Sequence, residues 1–210
     1  MVQPDIISAA GAVLIPESEL SQAHSYESFR HLVDRLHDEG KVTGQHQDEA
    51  LLAYSKLNVH RMNRWDKHTQ LLPEIVEAAS SIKGAYRWIA ITEGWCGDSA
   101  QLLPVIKKVA DLVGGVKFEI VLRDDHPELM NRFLTKGTRS IPIVICLDND
   151  NRLCWQWGPR PAAAQVVVDE EKAKADYQSD KMKEKLHLWY ARNQGVALQH
   201  ELVALLRTMR

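Results

Sequence analysis

The spacing of apolar positions changes period twice along the chain. Through the first 84 residues apolar side chains recur every three to four positions, as on a helix with one buried face. Phe29, Leu32, Val33 and Leu36 predict a helix over 25–38, ended by Gly40. Leu51, Leu52, Tyr54, Leu57 and Met62 predict a second over 48–67. Residues 71–82, with Pro73 near the start, predict a third. From residue 85 the apolar positions gather into short blocks. Residues 86–92 form a β-favouring run with the look of a fully buried strand. A helix over 96–113 follows, with Leu102, Val105, Ile106 and Val109 inward and Gly114-Gly115 at its end. Then come a strand over 117–123 and a short helix over 127–134, entered through Asp125 or His126. Strands over 143–147 and 153–157 flank Asp148-Asn149-Asp150-Asn151, which is strong hairpin chemistry. After Gly158-Pro159-Arg160-Pro161 the helical period returns over 162–174, 179–193 and 196–206, with Gly195 as a break. The expected division is an N-terminal helical extension (1–84), an α/β core (85–160) and a C-terminal helical segment packing on it (161–210).

Composition narrows the classes. The chain has 210 residues, 45% of them hydrophobic, enough for one ordinary core with helical additions. A net charge of −2 gives no bulk attraction to nucleic acid or anionic lipid. Three scattered cysteines make no disulfide framework and fit a reducing compartment. The apolar run at residues 6–15 lacks a basic leader, so no secretory signal is expected. No stretch reaches membrane-spanning length. A cytoplasmic protein of undetermined oligomeric state is the expectation. His24, His31, His37, His46, His60 and His68 show no metal-ligand spacing, and no metal is expected. The charged run 169–174 reads as a solvated helix face.

The segment Thr92-Glu93-Gly94-Trp95-Cys96-Gly97-Asp98-Ser99 stands where a strand turns into a helix. A thiol at a helix start faces unpaired N–H groups and the positive end of the helix dipole, and Ser99 stands one turn on to hydrogen-bond it. Asp98 opposes ionisation. Like charges about 6 Å apart cost roughly 0.7 kcal/mol in water, whereas the helix end favours a thiolate by about 0.3–1 kcal/mol, and about 2 when partly buried. Glu93 adds to the opposition. The balance predicts a thiol slightly more acidic than free cysteine, at about 8.5. Cys146 and Cys154 read as strand-packing residues, Cys146 about 13 Å along its strand from the site end, so an external thiol would have to complete any cycle.

This middle region resembles the thioredoxin superfamily. The resemblance rests on a buried strand leading into Trp95-Cys96-Gly97-Asp98-Ser99, on Pro104 eight positions after the cysteine, on Ile141-Pro142 before the hairpin and on Gly158 after it. It covers about residues 85–160. It implies a thioredoxin-like α/β fold, a central mixed sheet flanked by helices, here with N- and C-terminal helical extensions. It also implies a cis Pro142, with the Ile141 backbone beside Cys96 open to an extended partner. Ser99 replaces the second cysteine and Asp98 the intervening proline. Ala90 stands where the family carries a buried carboxylate. The whole chain looks like an uncharacterised bacterial branch with a monothiol Trp-Cys-Gly-Asp site.

The expected function is thiol–disulfide exchange by a monothiol mechanism, with Cys96 as nucleophile, Ser99 as the catalytic hydrogen-bond donor to it, and Trp95, Gly97, Asp98, Arg139, Ile141, Pro142, Gly158 and Arg160 around the substrate. Arg139 and Arg160 together suit a carboxylate such as that of glutathione. Glutathione is the candidate external reductant, no bound cofactor is implied, and the partners are protein or small thiols and disulfides. Two alternatives stay open: a redox-inactive module that binds peptides beside Pro142, and an oxidant sensor at Cys96.

Overall fold

The first two helices start where the sequence supplies an acceptor. Ser25 takes the Ser28 N–H at the head of α1 (Tyr26–Asp38), and the Asp48 carboxylate takes the Leu51 N–H at the head of α2 (Glu49–His68). Pro73 opens α3 (Pro73–Ser80). The computed structural model describes residues 13–209, so the run at 6–15 lies mostly outside the described residues. Its end is ordered: Ile15 is fully buried, and its N–H donates to the Asn151 carbonyl at 3.0 Å.

Five strands form one sheet: β1 (His24–Ser25), β2 (Tyr86–Thr92), β3 (Val116–Leu122), β4 (Ile143–Leu147) and β5 (Leu153–Trp157), in the order β1-β3-β2-β4-β5. β2 and β3 are parallel and joined through α4 (Gly97–Leu112); the other pairings are antiparallel. The remaining helices are α5 (Pro127–Arg132), α6 (Ala162–Lys172), α7 (Ser179–Asn193) and α8 (Val196–Leu206). This is the expected thioredoxin-like α/β architecture. The outermost strand, β1, comes from the N-terminal helical part. Two residues are too few to show a period of two, and neither β1 nor the 3-10 turn Glu17–Leu20 is signalled by the sequence.

Both faces of the sheet are covered, which is why β2 and β4 read as unbroken apolar runs. Trp88, Ala90, Ile120, Val144, Cys146, Trp155 and Trp157 face a large cluster shared with α1, α2, α3, α4, α7 and α8. Ile89, Ile91, Val121, Ile143, Ile145 and Leu147 face a smaller one with Ile15, Leu20, Leu129, Met130 and Phe133. One helical face departs from expectation. α2 buries Ser55, Asn58, Met62 and Trp65, while Leu57 is 50% exposed. One of the buried polar residues, Asn58, has a partner in the loop before Cys96. Among the described residues, no helix is long and apolar enough to cross a membrane.

Candidate functional site

β2 ends at Thr92, and four residues carry the chain into α4. That loop is held from outside the core. The Gly94 N–H donates to Thr43 Oγ1 at 2.8 Å, and Asn58 Nδ2 donates to the Gly94 carbonyl at 3.0 Å. Gly94 has no room for a side chain, since a Cβ there would lie 2.8 Å from a Val33 methyl. The turn places Cys96 as the N-cap of α4. Its sulfur accepts the Ser99 N–H at 3.5 Å and donates to the Ile141 carbonyl at 3.3 Å. The Ile141–Pro142 peptide is cis. Gly158, at φ +129°, lies so close that a Cβ would overlap the Pro142 carbonyl oxygen, so a residue without a side chain is needed there. Cys96, Ser99, Ile141, Pro142 and Gly158 therefore meet at one end of the sheet.

Asp98 has two partners that hold it away from a free-carboxylate role. Its Oδ2 accepts from Arg160 Nη2 at 2.6 Å and Nε at 3.1 Å, and its Oδ1 accepts from the Tyr190 hydroxyl at 2.7 Å. Ser99 Oγ accepts from Thr92 Oγ1 at 2.5 Å. The α7 helix lies over the head of α4. A Cβ on Gly97 would stand 3.0 Å from His187 Cε1 and 3.6 Å from Arg61 Nη1. His187 Nδ1 accepts from Gln101 Nε2 at 3.2 Å. Burial, and then the Arg61 charge, push the imidazole down to about 4, so it is neutral at physiological pH. Trp95 is half-buried under the Arg123 guanidinium, 4.8 Å from its ring, and Arg123 pairs with Asp124 at 2.8 Å. Arg139 donates to Asn131 at 3.0 Å on the surface. The two arginines expected to act together thus have separate partners.

The thiol departs from the expected acidity. Cys96 is 8% exposed, and burial first, then the Asp98 charge, push it up to about 11. Ser99 and the N–H groups of Ser99 and Asp98 pull the other way and lose. The dielectric of water does not apply, because the residue belongs to a buried apolar cluster with Ile141, Phe133 and Met130. A second buried acid lies three residues upstream. Glu93 is fully buried, its Oε1 accepts the Asp124 N–H at 2.9 Å, and Oε2 has no partner. Burial pushes it up to about 7. Ala90 is core, fully buried.

Sequence reasoning misses Thr43, Asn58, Arg61, Thr92, His187 and Tyr190. All but Thr92 stand 35 or more positions from Cys96, and only the fold brings them near. For Asn58 a signal exists: it sits at a buried position of α2, where an apolar residue is the norm.

A family model described as Thioredoxin matches residues 44–175, well over half the chain. The chain belongs to the thioredoxin family. Among solved structures, this thioredoxin-family chain is similar to a protein of unknown function from Pseudomonas aeruginosa, at 19% identity and a TM-score of 0.54, over 89% of this chain and 97% of that one. It is also similar to an HIV epitope scaffold, at 19% identity and a TM-score of 0.52, over 89% and 98%. At that identity the likeness is one of fold. No curated protein matches.

Proposed function

We propose that this thioredoxin-family chain is a monothiol thiol–disulfide oxidoreductase of the Trp-Cys-Gly-Asp type, with Cys96 as nucleophile. One observation carries the reading: the Cys96 sulfur caps α4 while touching the Ile141 carbonyl at 3.3 Å, at the start of the strand that leads into the hairpin. An extended partner that pairs with the Ile141 backbone would bring its own disulfide to that sulfur. The Cys96 thiolate attacks one sulfur of the partner disulfide, a new S–S bond forms, and the other sulfur leaves as a thiolate that takes up the proton. A second thiol, glutathione in the simplest case, then attacks the mixed disulfide and returns Cys96 to its reduced form. Ser99 donates to the reacting sulfur but has no sulfur of its own. Substrates are protein or small disulfides, no bound cofactor takes part, and the setting is a reducing cytoplasm.

At about 11, only roughly one thiol in ten thousand is ionised at pH 7. Turnover therefore starts from an opened form in which water reaches the sulfur. The same burial favours a second reading, a redox-silent module that captures extended peptides beside Ile141. It disfavours an oxidant sensor at Cys96, because peroxide reacts with thiolate. A glutathione-coupled assay on a glutathione mixed disulfide separates the first two. Turnover by the wild type that is lost in Cys96→Ser supports the exchange reaction, and Ser99→Cys should then gain dithiol reductase activity. A wild type that binds peptide but shows no turnover leaves only the binding module.

A further inference from the structure

The hairpin far from Cys96 holds two more thiols, and the fold brings them together. β4 and β5 pair Cys146 with Trp155 and Leu147 with Leu153, which leaves Cys154 as the extra residue of a β-bulge. The bulge breaks the alternation of β5. Cys154 and Trp155 are successive, yet both pack in the cluster that holds Cys146, whereas Leu153 packs on the opposite face. Neighbouring strands about 4.8 Å apart, with an offset of one residue or about 3.3 Å, put the two Cα atoms about 6 Å apart. Disulfides span about 4.4–6.8 Å between Cα atoms. The pairing is asymmetric. Cys146 is fully buried, while Cys154 is half-buried and its Sγ also reaches the Arg152 carbonyl at 3.8 Å.

We propose that Cys146 and Cys154 are an oxidisable dithiol, distinct from Cys96, which a hydroperoxide converts to an intramolecular disulfide across β4 and β5. Cys154 is the sulfur that reacts first. It is the more accessible of the two, and the neighbouring Cys146 thiol lowers its pKa while burial raises that of Cys146. Its thiolate attacks one peroxide oxygen, and the other leaves as hydroxide and takes up a proton to become water. The Cys154 sulfenic acid is then attacked by the Cys146 sulfur. The S–S bond forms, and the hydroxyl leaves with the Cys146 proton as a second water. Two thiols lose two electrons, and one peroxide becomes two waters. Strand packing alone, the reading from sequence, explains the burial of Cys146 but not the bulge that turns Cys154 towards it.

The test uses the full-length Cys96→Ser protein, in which these are the only thiols. After hydrogen peroxide treatment, the protein is denatured, alkylated and digested with trypsin, which cleaves after Arg152 and separates the two cysteines. The expected result is a peptide ending at Arg152 disulfide-linked to one beginning at Leu153, with alkylatable thiols falling from two to none together. The same linked pair should form in the wild type, whatever the outcome of the exchange assay at Cys96. In Cys146→Ala, the link should vanish and Cys154 should proceed to sulfinic acid. Two thiols still alkylatable after treatment, or oxidation of Cys154 with Cys146 left free, would overturn the proposal.

Discussion

Glu93 is the residue whose chemistry is least visible in the sequence and most exposed to measurement. As one acidic residue in a loop it reads as a minor contributor to the charge near Cys96. In the structure it is fully buried, with one oxygen unpartnered, and its carboxyl holds its proton up to about 7. The folded state binds that proton between the unfolded value of 4.5 and about 7, so stability falls as pH rises through this window. The loss is about 3 kcal/mol by pH 8. Glu93→Gln keeps an acceptor for the Asp124 N–H and has no charge to bury. Urea unfolding should find the variant more stable than wild type at pH 8, with the gap closing at pH 4.5. An equal gap at both pH values would show that the carboxyl is not the cause. The misjudged acidity of Cys96 has the same origin. Charges and helix ends can be read from spacing, but the loss of water around a side chain depends on segments far away in the chain.

At the scale of elements, the boundaries of β2, β4, β5, α7 and α8 are legible because apolar runs are bounded by turn chemistry or glycine. What α7 touches is not legible. His187 and Tyr190 are three apart and share a face, yet nothing in the sequence says that this face lies on the head of α4. α7 reaches the head of α4 through one hydroxyl on Asp98 and one ring against Gly97. Tyr190→Phe keeps the ring and removes the hydroxyl, leaving Asp98 Oδ1 unpaired. A hydrogen bond to a charged group contributes about 1.5–3 kcal/mol. The variant should show faster amide exchange along α7 and faster iodoacetamide reaction at Cys96 at constant pH. If α7 exchange rises while the Cys96 rate stays fixed, the helix is not what covers the sulfur. The α2 face differs from its apolar period for a related reason. Leu57 fits the apolar period, but the buried seam is set by Asn58, which must reach the Gly94 carbonyl.

For the molecule as a whole, the division into N-terminal extension (1–84), core (85–160) and C-terminal segment (161–210) is a proposal, and the packing bears on how these parts fold. The large cluster runs from Tyr26 and Phe29 in α1, through Trp88 and Val144 in the sheet, to Leu198, Leu202 and Leu206 in α8. Gln199 ties α8 to the segment before α3, accepting the Leu72 N–H at 2.8 Å and donating to the Gln70 carbonyl at 3.1 Å. Such sharing predicts one cooperative transition. Far-UV circular dichroism and tryptophan fluorescence should change at the same urea concentration. Separate midpoints would mean that the helical segments melt on their own.

The register of the sheet sets Trp88 opposite Cys146 and Cys146 opposite Trp155, and the two indoles meet edge to face at 5.0 Å. A sulfur flanked by two dry indoles is a built-in optical gauge. Chemistry at that sulfur should change the emission of Trp88 and Trp155, so it registers as a change in light output without a label.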